Sequence, residues 1–272
     1  LKQARSDAVA MARYMEFYGG AADKIHGETL PYLEGYTVYT LREAHGVTGH
    51  IVPWNYPMQI IGRSVGAALA MGNCCVLKPA EEACLSALMF AELARQAGLP
   101  SGVLNVVPGL GAQAGAALAA HDGINHLSFT GSVATGRLVQ AAAAQNVVPV
   151  TLELGGKSPQ ILFEDADVAA ALPFLINAGI QNAGQTCSAS SRILLQRSLY
   201  DTIVEAMAAR YQTLVAKPAI EDGDLGPLIS QRQKAIVENF LSQGHDLTLA
   251  ATGQISDTAP AAGAYVKPHL FC

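Results

Sequence analysis

The sequence is poor in charged residues and has no excess of basic ones. Charged side chains make up 14% of the 272 residues and hydrophobic side chains 50%. An average soluble domain has roughly 25% charged residues, so much of this chain is expected in an interior or an interface. The chain has 17 Lys and Arg against 22 Asp and Glu, a net charge of -5. We therefore predict no basic face for nucleic acid or for an acidic membrane surface.

Long apolar runs are also missing. No stretch approaches the about 20 apolar residues that cross a bilayer, and residues 1–12 mix charges into their apolar positions, unlike a secretory signal. These absences predict a soluble cytoplasmic protein. The sequence starts without methionine inside an apparent helix and stops just after a strand-like stretch, which predicts a piece of a longer polypeptide.

Cysteine is scarce, and its spacing follows no paired pattern. The five cysteines, an odd number without any C-x-x-C pair, are Cys74, Cys75, Cys84, Cys187 and Cys272. Disulfide frameworks and zinc sites normally use even sets of cysteines at short, regular spacings. We predict neither a disulfide framework nor a metal site.

Several catalytic motifs are absent as well. The sequence has no G-x-S-x-G elbow, no H-E-x-x-H pair and no P-loop. A cysteine hydrolase would need a histidine to activate its thiol. The histidines, none of which sits in a recognisable motif, are His26, His45, His50, His121, His126, His245 and His269. The sequence therefore disfavours a cysteine hydrolase.

What the chain does contain is a regular alternation of short apolar stretches with helical ones. A helix over 1–18, closed by Gly19 and Gly20, and a weak strand over 37–43 come first. Strands are predicted over 46–52, 74–77, 103–107, 124–129 and 147–152, and helices over 58–71, 85–97, 112–120 and 133–145. Short apolar strands between helices pair in parallel through right-handed crossovers. We predict an α/β fold with a doubly wound, Rossmann-like parallel sheet.

A second α/β unit is predicted after Gly155 and Gly156. Its expected elements are strands over 160–163 and 193–196, helices over 168–182, 199–215 and 231–241, and a small-residue loop over 252–263. Asp165 and Asp167 precede the first of these helices and are expected to supply a cap and a favourable helix-dipole charge. We expect this second unit to be incomplete.

Polar and glycine residues gather where the predicted strands of the first unit end. The positions concerned are Trp54-Asn55, Lys78 to Glu81, Gly109, Thr130 to Ser132, and Glu153. Doubly wound sheets bind ligands at the carboxyl ends of their strands. This placement favours a ligand site at that edge over a purely structural role.

Cys187 is the candidate nucleophile. It lies among small and polar residues between 177 and 192, so a substrate has room to reach its sulfur. The thiolate is the reactive form of cysteine; a buried, inert thiol is the alternative. Glu153 ends an apolar run 34 residues earlier (187 minus 153) and precedes two glycines. Poor hydration is expected for its carboxylate, which can then act as a general base; an ordinary strand-end carboxylate is the alternative.

Five segments occur in the order found in one family. They are Pro53-Trp54-Asn55-Tyr56-Pro57, Lys78-Pro79-Ala80-Glu81, Phe129-Thr130-Gly131-Ser132, Glu153-Leu154-Gly155-Gly156-Lys157 and Gly184-Gln185-Thr186-Cys187. In these segments the chain resembles the NAD(P)-dependent aldehyde dehydrogenase superfamily. The resemblance runs through nearly the whole chain. It implies a hydrolytic, non-acylating member, because relatives that pass the acyl group to coenzyme A generally lack a base at the position of Glu153.

The resemblance implies oxidation of an aldehyde to its carboxylic acid through a thiohemiacetal and a thioester on Cys187. Asn55 matches the family's oxyanion donor, together with the Cys187 backbone N–H. Glu153 matches the base that activates the hydrolytic water. Lys157 is the family's lysine near the base, with a structural or proton-relay role expected. Asn55 alone would fit equally well as a turn residue before Tyr56.

The resemblance also implies a dinucleotide site at the strand ends. The expected cofactor-binding residues are Ile51, Trp54, Lys78, Ala80, Glu81, Gly109, Gly131, Ser132 and Leu154. Glu81 favours NAD over NADP, because a carboxylate that accepts hydrogen bonds from the 2′-hydroxyl repels the 2′-phosphate of NADP. Ser132 can face a phosphate or serve as an ordinary N-cap. Glycines 109, 111 and 115 are spaced one residue too widely for the usual dinucleotide fingerprint.

The implied domains are an NAD-binding domain over 1–25 and 45–155, a bridging segment over 26–44, and the first part of a catalytic domain over 156–272. Tyr56, Arg63 and Gln181 correspond to substrate positions in relatives. Arg63 suggests a carboxylate-bearing semialdehyde, although a helix-surface salt bridge explains it equally well. A non-catalytic binding protein on the same fold stays open. The expected partners are a small aldehyde and, for the full-length protein, one or three further copies in a homodimer or homotetramer.

Overall fold

A computed structural model describes residues 1–244 and 246–272, so His245 lies outside the described residues. The chain divides into two compact units, one formed by Ala4–Leu154 and the other by Leu1–Gln3 with Gly155–Cys272. The assignment of one unit to cofactor binding and the other to catalysis stays a prediction.

The first unit alternates strands and helices as its apolar pattern predicts. Its elements are α1 (Lys2–Ala21), β1 (Thr29–Leu30), β2 (Val38–Tyr39), β3 (Val47–Ile51), α2 (Pro57–Ala70), β4 (Cys74–Lys78), α3 (Cys84–Gln96), β5 (Leu104–Val106), α4 (Ala116–Ala119), β6 (His126–Gly131), α5 (Val133–Ala144) and β7 (Val150–Leu154). Local chemistry sets the ends of α2: Pro57 occupies its first turn, and Gly72 follows it with a φ of +77°.

Five of these strands form one parallel sheet in the order β5-β4-β3-β6-β7. Helices α1, α2 and α3 cover one face, where Ile61 and Leu77 are completely buried. Helices α4 and α5 cover the other, around Leu127 and Ala143. The predicted doubly wound parallel sheet is confirmed. The strands β1 and β2 pair with each other as a separate antiparallel ribbon.

The second unit is a mixed α/β arrangement of small sheets and helices. Its elements are β8 (Gln160–Leu162), α6 (Val168–Ile180), β9 (Ile193–Leu195), α7 (Tyr200–Thr213), β10 (Val215–Ala216), α8 (Gln231–Ser242), β11 (Leu249–Thr252), β12 (Gln254–Ile255) and β13 (His269–Phe271). Strands β8 and β9 pair in parallel, as do β10 and β12, whereas β11 and β13 are antiparallel. Its core centres on Ile203 and Leu214, both completely buried.

Some predicted boundaries are wrong for physical reasons. Helix α1 continues through Gly19 and Gly20 to Ala21, because glycine costs a helix only about 1 kcal/mol and stops it reliably only in a left-handed conformation. The strand predicted over 37–43 shrinks to two residues. The helix predicted over 112–120 is a π-helical turn, Gly111–Gly115, followed by the short α4. The loop predicted over 252–263 contains β12.

Helix α6 ends two residues earlier than predicted. A 3₁₀ turn, Gln181–Gly184, follows it, and in this turn Asn182 and Ala183 have left-handed backbone angles. At the other end of α6, Asp167 is the N-cap, and its Oδ1 accepts a hydrogen bond of 3.0 Å from the Ala170 N–H. Within the described residues, no helix is both long and apolar enough to cross a membrane.

Candidate active site

The parallel sheet brings the predicted cofactor residues of the first unit to one edge. Strand register places Ile51 opposite both Lys78 and Phe129, and it places Gly131 opposite Leu154. Since all five strands run in the same direction, their carboxyl ends lie side by side. The sequence-predicted positions on β3, β4, β6 and β7 therefore share the edge at which doubly wound sheets bind ligands.

An ion pair joins two of these residues at the end of β4. The Lys78 Nζ lies 2.9 Å from Glu81 Oε2; the lysine is 3% exposed and the glutamate 43%. Hydrogen bonding from Lys78 is the main cause that lowers the pKa of the Glu81 carboxyl. Glu81 is therefore a carboxylate at neutral pH, with one oxygen on the lysine and its side chain open to solvent.

The glycine-rich loop after β5 lies beside that ion pair. The Gly111 N–H donates to Glu81 Oε1 over 3.5 Å, so the loop and the carboxylate are neighbours. Gly109 has a φ of +155°, and a Cβ at this position would come within 2.9 Å of the Ala114 Cβ. Both the backbone angle and the space therefore require glycine there.

The turn between β6 and α5 combines a glycine with a capping serine. A Cβ on Gly131 would lie 2.6 Å from Cζ of Phe129, so a larger residue would displace the aromatic ring. Ser132 is the N-cap of α5: its Oγ accepts from the Thr135 N–H over 3.2 Å and donates to Thr135 Oγ1 over 2.9 Å. The N-cap role of Ser132 is thus real, and it leaves the N-terminus of α5 at the ligand edge.

The turn that carries Trp54 and Asn55 is positioned by a residue that the sequence reasoning missed. Asp7 on α1 accepts hydrogen bonds from the N–H groups of Met58 (3.0 Å) and Gln59 (2.9 Å), two unpaired donors in the first turn of α2. Asp7 is 8% exposed. One feature of the sequence could have indicated this role: Asp7 lies four positions before the apolar Met11, and both are on the buried side of α1.

Of the three predicted substrate residues, Tyr56 is the most buried. It is 8% exposed and belongs to the core against α1, α2 and α3, whereas Trp54, Asn55 and Arg63 are half-buried. No carboxylate within the described part of its unit lies within 4 Å of the Arg63 guanidinium. The salt-bridge explanation of Arg63 therefore finds no partner in that unit.

The sequence predicts a poorly hydrated Glu153 carboxylate, and within the first unit this prediction is wrong. Glu153 is exposed on β7, while Leu152 and Leu154 on either side pack into the core against α4 and α5. Neighbouring side chains of a strand point to opposite faces, so the apolar run before Glu153 is buried on the face that the carboxylate does not share. β7 is also an edge strand of the sheet, with Thr130 of β6 opposite Glu153.

Cys187 is exposed, which disagrees with the alternative of a buried, inert thiol. Its loop is anchored to α6 by a hydrogen bond of 3.2 Å from the Ser190 N–H to the Ala178 carbonyl. Gly156 lies close by, since a Cβ on it would be 3.8 Å from the Cys187 carbonyl oxygen.

Lys157 is exposed, and its Nζ donates over 3.1 Å to the carbonyl of its neighbour Gly156. Gln181 is half-buried in the 3₁₀ turn after α6.

The sequence and the fold match one family along the entire chain. The model of the aldehyde dehydrogenase family matches residues 1–272. The chain belongs to this family. It is 42% identical to a hydroxyisobutyraldehyde dehydrogenase of Mycolicibacterium austroafricanum, covering 100% of this chain and 54% of that relative. The chain thus spans about half the length of the curated relatives it matches.

Solved structures of aldehyde dehydrogenases share this fold. A candidate aldehyde dehydrogenase from Burkholderia cenocepacia superposes with a TM-score of 0.98 at 63% identity, covering 99% of this chain and 57% of that one. An NAD+ complex of an aldehyde dehydrogenase from Bacillus cereus superposes with a TM-score of 0.91 at 40% identity, covering 97% and 54%. The predicted family and fold class are both confirmed.

In this aldehyde dehydrogenase chain, the parallel sheet brings the predicted cofactor-binding positions together at one edge. The other predicted groupings stay predictions. The first unit contains the predicted cofactor-binding residues and also Asn55 and Glu153, all at or just beyond the carboxyl ends of its strands. The second unit contains Cys187 and Lys157. The grouping of Cys187 with Glu153 and Asn55 stays a prediction. In residues 1–244 and 246–272, no three His, Cys, Asp or Glu side chains are grouped to hold a metal ion.

Proposed function

We propose that the protein oxidises an aldehyde to its carboxylic acid with NAD, through a covalent intermediate on Cys187. The observation that carries the proposal is the presence of Cys187, Glu153 and Asn55 in a chain that matches the family over its whole length. The exposure of the Cys187 side chain supports the nucleophile role.

The residues at the sheet edge fit a dinucleotide. Gly131 and Gly109 leave space that a Cβ would fill, the N-terminus of α5 can receive a phosphate, and Glu81 presents a carboxylate held by Lys78. Ile51, Trp54, Ala80, Ser132 and Leu154 lie at the same strand ends. The NAD+ complex of the Bacillus cereus relative supports NAD as the coenzyme. When bound, NAD supplies the acceptor for a hydride.

In the proposed reaction, the Cys187 thiolate attacks the aldehyde carbon and the carbonyl oxygen gains negative charge. The side-chain amide of Asn55 and the backbone N–H of Cys187 would donate to that oxygen; losing one such donor typically costs about 2.7–4 kcal/mol. The hydride leaves the thiohemiacetal carbon with its electron pair. A thioester on Cys187 remains.

Glu153 is proposed as the base of the hydrolytic step. It takes a proton from a water molecule, whose oxygen attacks the thioester carbon, and the C–S bond breaks to release the carboxylic acid and regenerate the cysteine. The exposure of Glu153 within its unit supports this role, since water can reach the carboxylate there. For Lys157 we propose a structural role, supported by its hydrogen bond to the Gly156 carbonyl.

The proposed function is tested by NADH formation from NAD and a panel of aldehydes. We expect activity in the wild-type protein and its loss in Cys187→Ala, with Cys84→Ala as a control that removes a thiol outside the proposed site. Absence of NADH formation with every aldehyde, or full activity of Cys187→Ala, would contradict the proposal. A homodimer or homotetramer is expected from the family and is measured by light scattering.

A carboxylate-bearing semialdehyde is the second candidate substrate, and Arg63 favours it. The half-buried guanidinium has no carboxylate partner in its own unit within the described residues. Arg63→Met should therefore lower kcat/KM for succinate semialdehyde more than for hexanal, benzaldehyde or hydroxyisobutyraldehyde. An equal change for all four would assign Arg63 to structure alone.

A further inference from the structure

The loop that carries Cys187 is held by both ends of one amide side chain. Gln185 Oε1 accepts a hydrogen bond of 2.9 Å from the Ile229 N–H, 44 residues along the chain, and Gln185 Nε2 donates over 3.0 Å to the Asn182 carbonyl. Gln185 is only half-buried, yet each end of its amide has a backbone partner. The residue therefore connects the turn after α6 with the segment before α8.

The turn held by Gln185 has a backbone that needs support. Three consecutive residues are left-handed, with φ values of 52° at Asn182, 56° at Ala183 and 75° at Gly184. A left-handed conformation is strained for alanine, and such strain persists only where surrounding contacts enforce it. Here Asn182 and Gln185 exchange three hydrogen bonds, counting the Gln185 N–H and the Asn182 Nδ2 as the other two donors.

The segment that contains Ile229 is itself held by hydrogen bonds on both sides. The Leu228 N–H donates over 2.8 Å to the Ala264 carbonyl, and Ser230 caps α8 by accepting from the Gln233 N–H over 3.2 Å. Ile229 lies between these two fixed points. Through Gln185, the loop before Cys187 is thereby connected to a hydrogen-bonded segment of the same unit.

We propose that Gln185 is a positioning residue for Cys187, a role that rests on the proposed function. Gln185 does not need to touch the sulfur. By holding Asn182 and Ile229 together it sets the path of residues 185–187, and with it the direction of the Cys187 thiolate and of the Cys187 N–H that would face the oxyanion. A displacement of about 1 Å at a reacting group can cost about a hundredfold in rate.

The test compares Gln185→Met with Gln196→Met. Methionine keeps the length of glutamine but offers neither hydrogen bond. Gln196 is a matched control, because its amide also has two partners: it accepts from the Glu164 N–H over 2.8 Å and donates to Glu164 Oε2 over 2.9 Å. Three quantities are measured: the pre-steady-state rate of NADH formation, the KM for NAD, and the rate at which iodoacetamide alkylates Cys187 as a function of pH, followed by mass spectrometry.

We expect Gln185→Met to slow NADH formation by about tenfold or more and to change the pH profile of Cys187 alkylation. The KM for NAD should stay within about twofold, and Gln196→Met should behave like the wild type. Unchanged alkylation and unchanged NADH formation in Gln185→Met would overturn the proposal. An equal loss in both variants would also overturn it, since it would indicate a general effect on the fold of this unit.

A second variant covers the case in which Gln185→Met does not fold. Gln185→Glu keeps an acceptor for the Ile229 N–H but sets a carboxylate against the Asn182 carbonyl, and it should shift the alkylation profile in the same way. A profile like that of the wild type would contradict the proposal. Alkylation needs no aldehyde and no NAD, so it reports on Gln185 even if the wild-type protein forms no NADH. That last result would count against the proposed function alone.

Discussion

At the scale of single residues, Lys78 shows how a buried charge determines its neighbourhood. An ammonium group that is 3% exposed would be costly to leave unpaired, and Glu81 pairs with it while keeping solvent on its own side chain. The pairing holds the Glu81 carboxylate ionised at the end of β4. In the proposed function this negative charge selects against the 2′-phosphate of NADP.

Replacing Glu81 with serine should therefore relax the choice of coenzyme. We expect the ratio of kcat/KM with NADP to kcat/KM with NAD to rise by about tenfold in Glu81→Ser, because the repulsion of a phosphate is removed. Glu82→Ser is the control, since Glu82 is the exposed neighbour of Glu81. The same ratio in both variants, measured by steady-state kinetics, would remove Glu81 from coenzyme selection.

His50 on β3 is a second buried polar residue with an assignable state. It is 2% exposed. The Thr48 hydroxyl lies 2.9 Å from His50 Nε2 and 3.1 Å from the Cys74 carbonyl oxygen. His50 Nδ1 is buried and has no hydrogen-bond partner among the described residues. Burial, with a smaller contribution from the nearby His126, lowers the pKa of His50 from 6.5 to about 4.

This pKa predicts how stability depends on pH. Between pH 6.5 and about 4 the unfolded chain binds a proton at His50 that the folded protein does not, so stability is highest above this window and is lost as pH falls through it. The expected loss from His50 is about 3 kcal/mol, and the lowered pKa of His126 acts in the same direction. Urea unfolding should show a clearly weaker pH dependence in His50→Gln; an identical slope would disprove the assignment.

At the scale of elements, the first turn of α2 depends on a side chain from α1. Asp7 accepts from the N–H groups of Met58 and Gln59, although burial raises the pKa of its carboxyl and the two amide contacts oppose that change. The benefit is structural: the cap fixes the start of α2, and the start of α2 fixes the turn that carries Asn55.

Asp7→Ala should lower the free energy of unfolding by about 1–2 kcal/mol, the usual cost of removing a helix cap. Glu16→Ala on the same helix is exposed and should change stability far less. Chemical denaturation of both variants measures the difference. Equal stabilities would mean that the α2 amides find other partners when Asp7 is removed.

The sequence predicts helices and strands well where their apolar residues are buried. It does not predict a feature that depends on a contact with a residue distant in the chain. The strands β3 to β7 follow from their apolar residues alone. The role of Asp7 does not, because capping across 51 positions depends on how α1 packs against α2. Glu153 was misjudged because a strand buries alternate residues, and an apolar run in sequence does not tell which face is covered.

At the scale of the whole molecule, the topology explains why scattered segments form one ligand edge. Parallel strands connected by helices bring positions 51, 78, 131 and 154 to neighbouring strand ends, although 103 residues (154 minus 51) separate the first from the last. Sequence motifs predicted these positions and the family. The proposed grouping of Cys187 with Glu153 and Asn55 joins residues of two different units, and no local sequence pattern specifies it.

Stopped-flow measurement of NADH formation tests the central claim most directly, namely that Cys187 and Glu153 act in successive steps of one reaction. Glu153→Gln should keep a burst of about one NADH per Cys187 and lose about a hundredfold or more in steady-state turnover. Cys187→Ala should show neither the burst nor turnover, and Glu82→Gln should match the wild type. Full steady-state turnover in Glu153→Gln, or a burst in Cys187→Ala, would contradict the account.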